Sequence, residues 1–332
     1  MTQLHQVFDS YEEEKWLAPE LARGGEGAVY PLQDRPNVLV KCYHKDYLQK
    51  SGSAQLENKV SAMQSVAALR NWPGVSWPLV SVYDQQQQWL GYAMRRAVGV
   101  PMHLMAHPML YQKHFPNLDR RKIVSYLINY LQQVQALHCH QVMLGDYNLQ
   151  NVLCDPHSDK VTLIDCDSYQ LELNGQLYPC PVGSADMTAK EHLGIAFNQI
   201  RRTPESEAFS MAIILFKCLM LGRHPYDIVG GADPVSNLQQ GNFAYGIGNK
   251  GVPKGPWYNI WSHMPHRIKS LFIATFTEGA GQPNKRPTLA EWEKSLAIYA
   301  NEIDKGWHEN AIKPAAPKGR DYQGDSQRII QL

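Results

Sequence analysis

The sequence predicts an α+β protein of two unequal parts, a small five-stranded antiparallel sheet with one helix followed by a larger, mainly helical part. Three observations lead there. The first hundred residues carry five short apolar runs separated by turn signals, the chain after Gly99 is dominated by helical apolar spacing, and one hairpin-like stretch interrupts those helices. At 332 residues, 44% of them hydrophobic, the chain is long enough for two domains or one domain of two lobes and can bury a proper core.

Charge is nearly balanced, with 32 Lys and Arg against 31 Asp and Glu, so no overall field points to nucleic acid or an anionic membrane as partner; neither is expected. Six cysteines (Cys42, Cys139, Cys154, Cys166, Cys180 and Cys218) show no C-x-x-C pairing. That is the pattern of reduced thiols used as small hydrophobes, which predicts a cytoplasmic setting and no structural zinc. His138, Cys139 and His140 are consecutive and cannot all face one ion. The start of the chain, with Glu12 to Glu14, has no basic-then-apolar run, so no signal peptide is expected. The most apolar segment, Phe209 to Leu221, is interrupted by Lys217 and reads as a core helix.

Taken in order, residues 1–20 are polar and mixed, a lead-in. Leu21 to Arg23, Ala28 to Leu32 and Val38 to Tyr43 read as three antiparallel strands. Ser53 to Leu69 has helical spacing, with Leu56, Val60, Met63 and Val66 on one side. Val75 to Tyr83 and Trp89 to Ala97 complete the five strands. Arg120 to His138 carries a continuous apolar stripe, and helices also fit Glu205 to Leu221, Pro265 to Phe276 and Thr288 to Ile303. Between Tyr169 and Arg202 there is little periodicity, which predicts a long functional loop. From Lys305 the composition turns polar, a tail either partly disordered or docked on the body.

The chemistry concentrates in Leu144 to Asp167. Asn151 to Cys154 and Val161 to Ile164 flank a Pro-His-Ser-Asp turn, so a β-hairpin would bring its polar ends, with Asp146, Asn151 and Asp165, into one small volume. An all-oxygen donor set suits Mg²⁺; the same stretch taken alone also fits a turn with solvated carboxylates. Upstream, Gly24 and Gly27 lie in a hairpin loop able to offer backbone N–H groups to a polyphosphate. Lys41 shares a strand face with apolar Leu39 and needs a counter-charge. Phosphate oxygens plus a carboxylate from the following helix, with Glu57 the best candidate, would supply it.

The order of Gly-rich loop, strand Lys, helix Glu, D-x-x-x-x-N and later Asp resembles the bilobal protein-kinase-like fold, and specifically a divergent bacterial (Hanks-type serine/threonine) branch of it. Gly183 to Glu191 is similar to G-T-x-x-Y-x-A-P-E, Glu207 to Ala212 to the start of the large lobe's central helix, Gly222 to Tyr226 to G-x-x-P-F, and Arg286-Pro287-Thr288 to the late R-P-T. The resemblance implies a small lobe over residues 21–95, a large lobe over 96–303 and a polar tail over 304–332. It implies ATP and Mg²⁺ as cofactors and a protein as substrate. Lys41 would hold the α- and β-phosphates and pair with Glu57, under the loop of Gly24 and Gly27. Val29, Met94 and Arg96 would contact the nucleotide, the last through the linker Arg95 to Ala97. Asn151 and Asp165 would bind the metal, and Asp146 would accept or orient the attacking hydroxyl's proton.

Several positions depart from the family pattern. Leu144-Gly145-Asp146 stands for H-R-D, which removes the usual counter-charge for a phosphorylated activation segment and makes switching by loop phosphorylation doubtful. Asn148 replaces the catalytic-loop Lys. Asp165-Cys166-Asp167 replaces D-F-G, with Asp167 either a further metal or water ligand or, in preference, a cap for the next turn. Two functions therefore compete with a non-RD serine/threonine kinase: a nucleotide-binding pseudokinase acting as an interaction module, and a nucleotidyl rather than phosphoryl transferase.

Overall fold

Seven strands, not five, make the main sheet. The computed structural model describes residues 4–246, 251–252 and 255–319. In chain order it forms β1 (Gln6–Asp9), β2 (Glu14–Trp16), β3 (Ala22–Arg23), β4 (Gly27–Pro31), β5 (Val38–Tyr43), α1 (Lys45–Ser51), α2 (Ser53–Gln64), α3 (Ala67–Arg70), β6 (Pro78–Tyr83), β7 (Trp89–Arg95), β8 (Val100–Pro101), α4 (Met102–Met105), α5 (Leu110–His114) and α6 (Arg120–His138). There follow β9 (Val142–Met143), β10 (Val152–Cys154), β11 (Val161–Leu163), β12 (Gln170–Leu173), β13 (Gln176–Tyr178), α7 (Pro204–Leu219), α8 (Pro234–Gln240), α9 (Pro256–His263), α10 (His266–Phe276), α11 (Glu278–Gly281) and α12 (Leu289–Asp304).

The chain divides into two compact units, Met1–Leu104 with Asn129–Ser210, and Met105–Ile128 with Met211–Leu332. In the first, the antiparallel sheet runs β2-β1-β6-β7-β5-β4-β3. The two strands beyond the expected five come from the stretch read as a lead-in. Each brings only one deeply buried apolar residue, Val7 from β1 and Leu17 just after β2, too few to register as an apolar run. Alternation along β5 splits the core across the sheet. Val40 and Cys42 join one cluster with Val7, Tyr30 and Val82, while Leu39 and Tyr43 join the other with Val60, Trp89, Tyr92 and Met94.

Two three-stranded sheets complete this unit, β11-β10-β8 and β13-β12-β9. The first contains the expected hairpin. The second lies where a long loop is predicted: β12 and β13 are joined by Asn174-Gly175, both at positive φ (53° and 80°). Asn-Gly favours a two-residue hairpin turn because both central residues of such a turn take left-handed conformations. The expected helix over 53–69 ends at Gln64 and resumes as the short α3, because Val66 (φ −77°, ψ 81°) leaves the helical region.

The second unit is helical and packs around Phe216, which meets Tyr245 and Phe272 edge-on with ring centroids 5.1 Å from each. Helix α12 starts with a capping box, Thr288 and Glu291 each accepting from the other's backbone N–H. As far as it is described, the polar tail is docked: Asn259 donates to Pro314 O, Lys318 N to Ser262 Oγ, and buried Arg120 to Ile312 O. The remainder, 320–332, lies outside the described residues. No helix among the described residues is long and apolar enough to cross a membrane. All six cysteines are free and five are buried, as small hydrophobes should be.

Candidate active site

Lys41 sits on β5 between Val29 of β4 and Tyr92 of β7, its register partners. It faces the apolar cluster with Leu39 and Tyr43 and is 6% exposed. Burial alone would lower its pKa, yet it is raised, because Asp167, Asp165 and Glu26 surround the ammonium. Nζ lies 2.6 Å from Asp165 Oδ1, 2.8 and 3.0 Å from the two oxygens of Asp167, and 3.1 Å from Glu26 Oε2.

The expected pair with Glu57 is not formed. Glu57, half-buried on α2, accepts a 3.4 Å hydrogen bond from Tyr83 OH. The cause is helix register: Leu56, Val60 and Met63 define the inward stripe, and at roughly 100° per residue Glu57 falls well off its centre. The inward polar residue of α2 is Lys59, which donates to Ser168 O (3.0 Å) and Pro179 O (3.1 Å). Burial pulls its pKa down to about 8.

Asp167 does not cap a turn. It is buried, and three donor groups make four hydrogen bonds to its two oxygens: Lys41 at both, Tyr92 at Oδ1 (2.7 Å) and Tyr43 at Oδ2. A carboxylate has about four acceptor sites, so Asp167 is saturated and offers nothing to a metal. Burial would raise its pKa, but the Lys41 charge and these hydrogen bonds hold it below the usual carboxylate range. Asp165 differs. Its side chain is 42% exposed and, among the described residues, only Oδ1 is engaged, by Lys41. Burial and the neighbouring Asp167 raise its pKa.

Asn151 lies beside Asp165 at one end of the hairpin, since Val152 pairs with Leu163 and Ile164 N donates to Asn151 O (2.9 Å). Glu26, Asp165 and Asp167 present carboxylate oxygens within 4.8 Å of one another, the one such acidic group among the described residues. Three carboxylates against one ammonium leave a net negative, all-oxygen pocket. With Asp167 saturated, the donors open to a hard cation are the free Asp165 oxygen and the Asn151 amide, and their chemistry fits Mg²⁺.

Asp146 sits on a loop hung from Glu207. That buried carboxylate accepts from Leu144 N (2.9 Å), Gly145 N (2.8 Å) and Tyr147 OH (2.9 Å), with His138 Nε2 at 3.1 Å. Burial opposes ionisation of Glu207, but His138 and the backbone donors win and lower its pKa. The Asp146 carboxylate makes no hydrogen bond among the described residues, and burial raises its pKa against the charge of Arg202. Asn148 is committed as a cap, accepting from Gln150 N (2.9 Å).

The nucleotide-side candidates divide. Gly24 has open space where a side chain would sit and closes the loop by donating to Gly27 O (2.9 Å). Gly27 is demanded by the sheet, since a Cβ there would strike the Cys42 carbonyl. Met94 is buried opposite Leu39. Arg96 donates its backbone N–H to Asn37 O (2.8 Å), so that donor is already engaged. Sequence reasoning missed Glu26, Tyr43, Tyr92, Lys59 and Arg202 as site residues. Of these only Tyr43 carried a readable signal, the i+2 position on the face of Lys41.

No protein-family model matches the chain. It is 28% identical over 309 residues to the protein named protein kinase YegI of Escherichia coli strain K12, covering 90% of this chain and 47% of that protein. To protein kinase YegI of Escherichia coli O157:H7 it is 28% identical over 296 residues, covering 86% of this chain and 45% of that protein. The chain thus spans about half the length of the curated relatives it matches. Similarity along most of its own length to these two kinase-named proteins supports a divergent bacterial protein-kinase-like family for this chain.

Proposed function

We propose that this chain is an ATP- and Mg²⁺-dependent phosphotransferase, a non-RD serine/threonine kinase acting on a protein hydroxyl. The observation that carries the reading is the division of labour around Lys41. The ammonium is fixed at 2.6 Å from Asp165, while the second Asp165 oxygen, the Asn151 amide and the Asp146 carboxylate make no hydrogen bond among the described residues. In this reading Lys41 binds the nucleotide's phosphates beneath the loop of Gly24 and Gly27, with Val29, Met94 and the linker at Arg96 around the base. Asn151 and Asp165 hold the ion, and Asp146, its basicity raised by burial, takes or orients the hydroxyl proton. Bound Mg²⁺ supplies charge neutralisation on the phosphates as the γ-phosphoryl group leaves. The segment similar to G-T-x-x-Y-x-A-P-E supports a protein substrate.

The test is transfer from γ-labelled ATP with Mg²⁺ to the protein itself or to a cell extract, with phosphoserine or phosphothreonine as the product. No transfer to any acceptor would sink the reading. A second reading, a nucleotide-binding pseudokinase, is favoured by Asn148, whose side chain caps Gln150 where a cation would assist transfer. It is supported instead if wild type transfers nothing and Asp146→Asn leaves ATP affinity unchanged.

A further inference from the structure

We infer that Asp167 is the positioning residue for Lys41, and that α2 has been uncoupled from the lysine; the phosphotransferase reading enters only in what Lys41 binds. In kinases generally the strand lysine must be paired with a carboxylate from the helix that follows for phosphoryl transfer to proceed. Here that role has moved to the far side of the hairpin.

Three features of the geometry converge. The socket for Asp167 is built on adjacent strands: Lys41 and Tyr43 project from the same face of β5, and Tyr92 is the cross-strand partner of Lys41 on β7. All four hydrogen bonds to Asp167 therefore come from sheet positions fixed relative to one another. A buried aspartate held this way cannot leave without stranding an ammonium and two phenols in the core. On α2, Glu57 is turned toward Tyr83, and the inward polar place belongs to Lys59, a cation that cannot pair with Lys41. Lys59 ties α2 to the carbonyls of Ser168 and Pro179, so the helix follows the segment after Asp165. A shift of α2 would then disturb that segment but leave the lysine paired.

The experiment is a pair of double-mutant cycles on the whole chain, read by thermal unfolding, with ATP dissociation constants measured for each single variant. Lys41→Met combined with Asp167→Asn should be non-additive in melting temperature, and Lys41→Met combined with Glu57→Gln should be additive. Asp167→Asn should weaken ATP binding at least about tenfold, with Asp167→Glu recovering part of the loss and Glu57→Gln staying within about twofold. Should Asp167→Asn not fold, Tyr92→Phe, which removes one of the four hydrogen bonds to Asp167, takes its place in the cycle. Coupling of Lys41 to Glu57 with none to Asp167 or Tyr92 would overturn the inference. If the couplings appear as expected but wild type transfers no phosphate, the phosphotransferase reading fails and the assignment of Asp167 stands.

Discussion

Arg202 occupies the space that a side chain at Gly145 would need. A Cβ on Gly145 would stand 2.7 Å from Arg202 Nε and 2.6 Å from Cys180 Cβ. Gly145 has φ +72°, and the guanidinium beside it donates to the carbonyls of Cys180 (3.0 Å), Val182 (3.1 Å) and Phe197 (3.3 Å). The cation missing from the Leu144-Gly145-Asp146 motif is thus replaced, next to Asp146, by one that pins the following segment through backbone carbonyls. Such carbonyls need no phosphorylation to serve as partners of Arg202. Gly145→Ala should cost roughly 2–5 kcal/mol from left-handed backbone strain plus overpacking, read by urea denaturation. Gly145→Arg, which introduces the Arg of the H-R-D pattern that this motif resembles, should be worse rather than better; recovery of stability by that substitution would refute the packing of Arg202 against Gly145.

Glu207 gives a pH dependence with a definite sign. Its folded pKa is depressed, so the stability it confers is full above the unfolded value, about 4.3, and is lost as pH falls through the folded value. Between pH 6 and pH 3 wild type should therefore lose more melting temperature than Glu207→Gln. Equal losses would mean that the carboxylate is not the group holding Leu144 N and Gly145 N. Glu207→Ala, which leaves those buried donors unmatched, should cost on the order of 3 kcal/mol at neutral pH.

How far the sequence could be read depends on whether the signal was local. Strand alternation put Lys41 on an apolar face and demanded a counter-charge, and the structure supplies one. Which carboxylate answers was not legible, because that depends on helix register about α2 and on the approach of a residue 126 positions away. Asn174-Gly175 is a local hairpin signal, set between flanking runs whose alternation is weak. The strands β1 and β2 at one end of the sheet were not legible, since one deeply buried residue apiece leaves no pattern to count.

Lys59 predicts an alkaline effect of opposite kind. Its folded pKa, about 8, lies below the unfolded 10.4, so below pH 8 burial of the charge destabilises the fold, and as pH rises from 8 toward 10.4 the unfolded chain holds the extra proton and stability increases. Relative to Lys59→Met, wild type should gain roughly 1 kcal/mol per pH unit in that window by chemical denaturation. A flat difference would show that Lys59 stays charged in the fold through its two carbonyl partners.

Asp165 and Asp167 should separate cleanly in metal dependence. Asp167 has no free acceptor site, whereas Asp165 keeps Oδ2 open and its side chain 42% exposed. In the phosphotransfer assay, Asp165→Asn should raise the half-saturating Mg²⁺ concentration at least about tenfold. Asp167→Asn should weaken ATP binding while leaving the Mg²⁺ requirement near wild type. A raised Mg²⁺ requirement for Asp167→Asn would make it a ligand and contradict its saturation by Lys41, Tyr43 and Tyr92.

Under the proposed function, Glu26 would compete with the nucleotide for Lys41. One of its oxygens lies 3.1 Å from Lys41 Nζ and the other accepts from Tyr47 OH at 2.9 Å, so the loop carrying Gly24 and Gly27 is drawn toward the lysine that phosphates must reach. A phosphate arriving there brings negative charge beside Glu26, Asp165 and Asp167, and like charges at such distances repel unless a cation intervenes. Removing the charge while keeping the shape, in Glu26→Gln, should tighten ATP binding by about three- to tenfold at low Mg²⁺, with a smaller gain at saturating Mg²⁺, where the ion already screens the pocket. Titration of a fluorescent ATP analogue at two Mg²⁺ concentrations reads both effects. Weaker binding by Glu26→Gln at both concentrations would assign Glu26 to holding the bound ion, and the competition argued here would be wrong.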